Sequence, residues 1–267
     1  MGRKSLVKDI TYGICGSLVD LFIWQIALVG ASVGKTGPRG VHQAFNEADE
    51  FLTKVNHRTL AAVWHQLNKK RLVTYHKRKN LYSPEITKFG EERLNKIIPT
   101  YERKRPWDKK IYLITYDIPE KYREKRSKLR YFLQKVGAVI LQESIWLTPY
   151  NLREFINAFI KEEQIPGTII VSDIGPDGGI GETSIQDLLV KLYFIEELND
   201  RYEEFIRDSK EDVSTKSLLF RYLSILKDDP QLPFELLSKG WLGDKAYLIY
   251  ERLRREYILT YMRPVTK

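Results

Sequence analysis

Cysteine is almost absent from this chain, and its scarcity limits both the compartment and the chemistry. Cys15 is the only cysteine among 267 residues. A single thiol excludes an internal disulfide framework and is typical of a reducing compartment, so we expect a cytoplasmic protein. The sequence has no secretory cleavage pattern, and no cluster of cysteine and histidine predicts a zinc site.

Histidine is scarce as well, and its placement argues against an enzyme. The four histidines all fall in the N-terminal part of the sequence, as His42, His57, His65 and His76. No Ser-His-Asp or Cys-His arrangement can be assembled from the rest of the chain. We therefore predict no cofactor, no catalytic residue and no enzymatic activity.

Acidic residues are under-represented in one part of the chain only. The formal net charge is +9, and residues 1–106 hold 19 Lys and Arg against 9 Asp and Glu, whereas the remaining residues hold 25 and 26. This concentration of positive charge is typical of a segment that binds a polyanion. A merely soluble basic surface would give the same count, so the charge has to be located on predicted elements.

The longest apolar stretch, residues 10–34, contains Asp20 as its only charge between Asp9 and Lys35. Its length would suit a membrane span, and that alternative stays open. Against it, Asp20 near the middle would cost about 2.5–3.5 kcal/mol on insertion, and basic residues flank both ends. We expect a buried helix that packs in the N-terminal domain or against a dimer partner, with no membrane contact.

The segment after Asn56, a good N-cap, has the pattern of a recognition helix. One buried stripe at helical spacing consists of Leu60, Val63, Trp64 and Leu67. The opposite face carries Arg58, Ala62, His65 and Lys69. Long donors for phosphates and base edges, next to a small residue that permits close approach, are typical of a helix in a DNA groove.

A basic hairpin follows this helix. Short strands at 72–75 and 81–83 are predicted, joined by His76-Lys77-Arg78-Lys79-Asn80, whose cations suit a wing lying on the DNA backbone. A short helix is also predicted at 44–52, with a tight turn at 53–55 before the recognition helix. Helix, turn, helix and hairpin in this order indicate a winged helix, although each residue alone could be an ordinary surface group. The predicted DNA-contacting residues are Asn56, Arg58, Thr59, His65, Lys69, Lys70, Arg71, His76, Lys77, Arg78 and Lys79.

The central segment alternates strand and helix. A strand at 111–116 ends at Asp117-Ile118-Pro119, a helix spans 120–136 and stops at Gly137, and one continuous strand runs from 138 to 147. A helix at 152–160 and a strand at 167–172 follow. This order is typical of a split βαβ, ferredoxin-like unit. Helices at 185–205, 215–226 and 245–259 end the chain.

We therefore predict an α+β protein with four segments. They are an N-terminal winged helix (1–100), a basic linker (101–108), a ferredoxin-like, βαββαβ-type dimerisation domain (109–182) and a helical C-terminal domain (183–267). The linker contains Arg103-Lys104-Arg105-Pro106, whose charges could also contact phosphate.

A resemblance to a known family is carried by the central segment, in the stretches Trp107-Asp108-Lys109-Lys110, Tyr116-Asp117-Ile118-Pro119-Glu120, the basic helix 123–130 and residues 142–149. Together they resemble the central domain of PaaX-type transcriptional repressors. They are also similar to the small CRISPR-associated endonuclease that is the structural subunit of spacer integration. A second stretch, residues 229–237 followed by 241–246, resembles the PaaX C-terminal signature, which the small endonuclease lacks.

This resemblance implies a cytoplasmic repressor that binds a two-fold-related DNA operator as a homodimer. It also implies a small-molecule effector, an acyl-CoA in the repressor of phenylacetate degradation. The endonuclease resemblance leaves an alternative in which Asp117, at the end of the first central strand, holds a divalent metal for DNA cleavage. Against this, one carboxylate is a poor magnesium site, and Asp117 could equally cap the following helix or hold the turn.

Overall fold

A computed structural model confirms the predicted α+β class. It describes residues 8–9, 11–29, 57–78, 81–175 and 184–262. In chain order, the elements within those residues are α1 (Leu18–Val29), α2 (His57–Lys69), β1 (Val73–Arg78), β2 (Leu81–Ile86), α3 (Lys88–Asn95), β3 (Ile111–Asp117), a 3-10 turn (Glu120–Tyr122), α4 (Arg123–Lys135), β4 (Val139–Gln142), β5 (Ile145–Thr148), α5 (Arg153–Glu163), β6 (Thr168–Ile174), α6 (Ile185–Leu192), α7 (Ile195–Asp208), α8 (Thr215–Asp228), a second 3-10 turn (Phe234–Leu236) and α9 (Gly243–Met262).

The chain divides into two compact units that are not continuous in sequence. The first, unit 1, comprises Met1–Thr100, Tyr202–Asp228 and Gly243–Lys267, and unit 2 comprises Tyr101–Arg201 and Asp229–Leu242. The predicted C-terminal segment 183–267 is thus shared between them. The four predicted segments, with their bounds, stay a prediction.

The apolar helix α1 lies at the centre of unit 1. It packs against α2, β2, α3 and α9, and Trp24 contacts Phe220 of α8 with ring centroids 4.3 Å apart. Leu21 and Ile23 are completely buried. None of the helices in the described ranges has the length and unbroken apolar content that crossing a bilayer requires. Residue 10 and residues 30–34 of the apolar stretch lie outside the described residues, and so do the predicted helix 44–52 and the turn 53–55.

Asp20, the one charge in this helix, is buried and fully engaged. Nε and Nη2 of Arg93, on α3, donate to its Oδ1 at 2.8 and 2.6 Å. The Ser17 hydroxyl donates to Oδ2 at 2.7 Å and accepts from the Asp20 amide at 3.3 Å, so Ser17 caps α1. The charge that interrupted the apolar run therefore joins α1 to the end of the N-terminal segment.

The hairpin β1–β2 is longer than predicted. Its strands pair antiparallel from Val73 opposite Ile86 to Arg78 opposite Leu81. The backbone of three residues that were predicted for the tip, His76, Lys77 and Arg78, therefore belongs to the first strand. The two connecting residues, 79 and 80, lie outside the described residues.

Unit 2 is built on a four-stranded antiparallel sheet in the order β4-β5-β3-β6. One face is covered by α4 and α5, where Leu129, Leu133 and Ile156 pack on Ile114 and Trp146 of the strands. The continuous strand predicted for 138–147 was wrong. The chain turns at Glu143 and Ser144, so that Gln142 pairs with Ile145, and two short strands form a hairpin.

The other face of this sheet is covered as well. Leu189 of α6 and Leu236 of the second 3-10 turn form a buried cluster with Ile111 and Leu147 of the strands. The hydroxyl of Tyr193, just after α6, donates to the carbonyl oxygen of Gly137 at 2.6 Å and fixes the end of this helix beside β4. Both faces of the sheet are therefore closed by helices of the same chain.

The single helix predicted for 185–205 is two helices. They are separated at Tyr193 and Phe194, and Phe194 has φ +54°, outside the helical region for an L-residue. The amide of Leu198 still donates to the Phe194 carbonyl at 3.0 Å, so α7 begins directly from this residue. The break therefore ends α6, the helix that packs on the sheet, before α7 begins.

Two glycines of unit 2 offer a matched test of its packing. Gly137 (φ +85°) and Gly167 (φ +100°) both have left-handed backbone, but a Cβ at Gly137 would meet nothing within 4 Å, whereas one at Gly167 would collide with the Asp117 carbonyl. Gly137→Ala should lower the free energy of unfolding by about 1–2 kcal/mol through backbone strain alone. Gly167→Ala should lower it further, because β3 must also shift. Urea unfolding measures both, and equal losses would contradict the collision.

The Asp20–Arg93 pair makes a second prediction. Arg93→Leu should destabilise the protein by about 2 kcal/mol, because it leaves a buried carboxylate without its cation. The figure lies below that for a fully buried pair, since 36% of the Arg93 side chain is exposed. Asp20→Asn in the Arg93→Leu background should recover part of the loss. A double-mutant cycle by urea unfolding checks this, and strictly additive effects would contradict the coupling.

Candidate nucleic-acid interface

The two faces of α2 differ in exposure, although Trp64 of the predicted buried stripe is only half-buried and the side chain of Leu60 lies outside the described residues. Val63 and Leu67 are buried, while Ala62, His65 and Lys69 are exposed, and Thr59 is half-buried. The buried stripe packs toward α1. Arg58 lies in the helix, but its side chain is outside the described residues, and so are the whole of Asn56 and Lys79. His65 and Lys69 therefore share one exposed surface.

The C-terminus of α2 ends in a left-handed residue that is not glycine. Arg71 has φ +53°, and its amide donates to the Asn68 carbonyl at 2.8 Å, while the Leu72 amide donates to Leu67 at 2.9 Å. These bonds close the last turn in a Schellman-type cap, a position that usually favours glycine. The turn presents Lys69, Lys70 and Arg71 together as three exposed cations directly before β1.

Thr87 fixes this turn to the hairpin and to α3. Its hydroxyl donates to the Arg71 carbonyl at 2.6 Å and accepts from the Gly90 amide at 3.2 Å, while its own amide donates to Leu72 at 3.1 Å. Thr87 is thus the N-cap of α3 and also the brace of the basic turn. The sequence interpretation missed this role, although a threonine directly before a helical segment is the signal for an N-cap.

Electrostatics concentrates positive charge at this corner. Across the part of the chain that the structure describes, no carboxylate forms an ion pair with Lys69, Lys70 or Arg71. Cations at the C-terminus of a helix also interact favourably with the helix dipole, which accounts for some of their placement. Three adjacent side chains of one sign on a braced turn form a surface to which an anion would be attracted.

One of the linker cations that could have contacted phosphate is buried. Arg105, placed in an exposed linker from the sequence, is buried, with its guanidinium 5.1 Å from the Tyr101 ring centroid and 4.5 Å from that of Phe234. It donates to the Glu102 carbonyl at 3.1 Å and to that of Leu232 at 3.0 Å. Arg105 therefore joins the start of unit 2 to the segment 229–237 and is not available to nucleic acid.

The residues considered for catalysis do not form a catalytic or metal-binding cluster within the described residues. Asp117 is exposed, and no cluster of three or more metal-ligating side chains occurs among the described residues. Asp117 does not cap the next helix either, because α4 begins after Tyr122 without a side-chain cap. Burial raises the pKa of the Cys15 thiol to about 12, which disfavours the thiolate that a nucleophilic cysteine requires.

Comparison with known proteins identifies two family models that match this chain. The family model described as the PaaX protein central Cas2-like domain matches residues 104–179, and the model of the PaaX-like protein C-terminal domain matches residues 193–260. A solved structure, the uncharacterized protein Rv0674 from Mycobacterium tuberculosis, is similar in fold, with a TM-score of 0.60 at 14% identity over 92% of this chain and 98% of that chain. No curated protein matches the sequence.

Proposed function

The chain belongs to the PaaX family, and on that premise we propose that it is a transcriptional regulator that binds double-stranded DNA. The observation that carries the proposal is the exposed surface of α2 together with the braced cations Lys69, Lys70 and Arg71. The order helix, hairpin and α3, with the hairpin directly after the basic turn, supports a winged helix. The antiparallel sheet with the chain order βαββαβ supports a ferredoxin-like central domain.

In this proposal the two parts of the surface have different tasks. The exposed side of α2, which includes Ala62 and His65, enters the major groove, where Arg58 and Thr59 near the helix N-terminus contact base edges. Lys69, Lys70 and Arg71 contact phosphates, as do His76, Lys77, Arg78 and Lys79 of the hairpin. Base contacts then set sequence preference, and phosphate contacts set register and salt dependence.

The finer features that the family suggests are part of the same proposal. The protein acts in the cytoplasm as a repressor, and two copies present two reading helices to a two-fold-related operator. A small effector, an acyl-CoA-like molecule by family resemblance, releases it from DNA. Neither a cofactor nor catalysis is required, because binding alone blocks transcription.

Two substitutions on α2 separate the proposed tasks. Arg58→Ala should weaken binding to the operator by about 1–3 kcal/mol and relax its sequence preference, whereas Lys69→Ala should weaken binding to all duplexes alike and lower the salt slope by about 0.9. Mobility-shift assays on the upstream region of its own gene, over a range of salt, measure both. Lys245→Ala, an exposed cation on α9, is the control. Unchanged affinity in both test variants would contradict the docking.

Arg71→Gly should separate folding from binding. Glycine accepts the left-handed backbone at φ +53° without strain, so the free energy of unfolding should stay level or rise by about 1 kcal/mol, while DNA affinity and its salt slope fall. Gln164→Gly is the matched control, since Gln164 ends α5 with φ +50° and carries no charge. The control should gain the same stability and keep full affinity. Equal DNA affinity in both variants would remove Arg71 from the interface.

A further inference from the structure

Helix α4 of unit 2 carries a second cationic surface. Residues 120–135 contain seven cations, Lys121, Arg123, Lys125, Arg126, Lys128, Arg130 and Lys135, and only two acidic residues, Glu120 and Glu124. The helix contributes Leu129 and Leu133 to the core. Phe132 also packs on this core and stacks on Phe159. Packing therefore explains the apolar side of α4 but not the charge of its exposed side.

Part of this charge is used within unit 2. Lys125 and Lys128 pair with Glu163 at 3.8 and 2.6 Å, and Arg126 pairs with Glu120 at 2.8 Å and donates to the Ile118 carbonyl at 2.9 Å. These contacts hold α4 to the end of α5 and to the turn before the helix. Glu163 and Glu120 are paired in these contacts, so these two carboxylates do not neutralise the other cations of the helix.

The remaining cations are Lys121, Arg123, Arg130 and Lys135. All four are exposed, and none forms an ion pair with a carboxylate in the described ranges. Arg123 and Arg130 each lie three or four residues from Arg126, a spacing at which like charges destabilise a helix. The helix therefore keeps an electrostatic repulsion that its own packing does not require.

Two tyrosines lie among these cations. The ammonium of Lys135 is 4.9 Å from the centroid of the Tyr131 ring, and that of Lys121 is 5.0 Å from Tyr122. Tyr131 is 61% exposed. The rings hold the ammonium groups at the surface, and each tyrosine hydroxyl is a further donor for a phosphate oxygen. One such pair of a cation and an aromatic ring lies in the 3-10 turn before α4, and the other lies toward the C-terminus of α4.

We propose that this face of α4, formed by Arg123, Arg130, Tyr131 and Lys135, binds the phosphate backbone of duplex DNA without reading its sequence. The proposal rests on the proposed DNA-binding function and adds a second contact in unit 2. From Arg123 to Lys135 the helix is about 18 Å long, a distance over which one DNA strand presents about five phosphates. The spacing of the cations therefore fits several phosphate contacts.

Charge complementarity favours DNA over an acidic protein surface. Specific protein interfaces have an apolar centre with a polar rim, whereas the exposed side of α4 consists of charged and polar residues, with Tyr131 as its one large hydrophobic group. A backbone of phosphates needs cations and hydroxyl donors only. The acidic residues of α7 in a second copy are the competing partner, and the experiment separates the two.

The test compares two triple variants with the same change in net charge. Arg123→Gln/Arg130→Gln/Lys135→Gln removes the proposed contacts, and glutamine keeps the helix propensity. Lys161→Gln/Lys239→Gln/Lys245→Gln removes three exposed cations elsewhere. Fluorescence anisotropy on a mixed-sequence 40-base-pair duplex, at several salt concentrations, gives the affinity and its salt slope for each full-length variant.

The α4 variant should lose about tenfold or more in affinity, and its salt slope should fall by about 2–3, at 0.9 for each phosphate. The control variant should stay within about twofold of the original protein. Equal losses in both variants would show that net charge alone matters and would overturn the proposal. Circular dichroism and urea unfolding identify a variant that has lost its fold, and the separate variants Arg123→Gln and Arg130→Gln then replace the triple variant.

Arg71→Gly, measured in parallel, distinguishes this proposal from the function on which it rests. Loss in Arg71→Gly without loss in the α4 variant overturns the α4 surface and leaves the α2 reader intact. Loss in the α4 variant alone supports the α4 surface and contradicts the α2 reader. Sedimentation of both triple variants is the last readout. A change of oligomeric state with an unchanged salt slope would assign α4 to a protein partner and overturn the proposal.

Discussion

The buried ion pair between Asp20 and Arg93 is the constraint on which unit 1 depends. An apolar helix such as α1 must be covered on all sides, and four of its neighbours come from both ends of the sequence. Hydrophobic packing alone would allow α1 to slide or rotate, whereas a carboxylate that is buried among apolar groups must meet its cation at one position. The pair therefore sets the register in which α2, the hairpin and α3 are held around α1.

Local patterns predicted the elements well where one face alternates cleanly. The stripe of α2, the strand β3 and the glycine stop of α4 all follow from spacing and from single residues. The hairpin at Glu143 and Ser144 was missed because neither residue belongs to the glycine and asparagine pairs that mark tight turns. The break at Phe194 was missed for a similar reason, since an aromatic residue in a continuous amphipathic pattern carries no stop signal. Tertiary packing decides both positions.

The net charge of a long segment can hide local clusters of charge of one sign. Residues after 106 are nearly neutral in total, so the sequence pattern pointed to the N-terminal part alone. In the structure, the nearly neutral part after residue 106 contains a cationic helix, α4, and an acidic helix, α7. In the N-terminal part, the cation Arg105 is buried and does not contribute to the surface charge. Contacts between distant residues, such as Arg105 with Leu232, are not accessible from periodicity, and that is why burial of a single cation could not be predicted.

The helix α6 has a consequence for assembly of the sheet in unit 2. Ferredoxin-like sheets with one bare face can stack on a second copy, but here α6 already occupies that face through Leu189 and the bond from Tyr193. A helix tethered by a short linker competes at an effective local concentration of about a millimolar. For two protomers to stack sheet against sheet, α6 would first have to leave this face. The position of α6 therefore disfavours that mode of association.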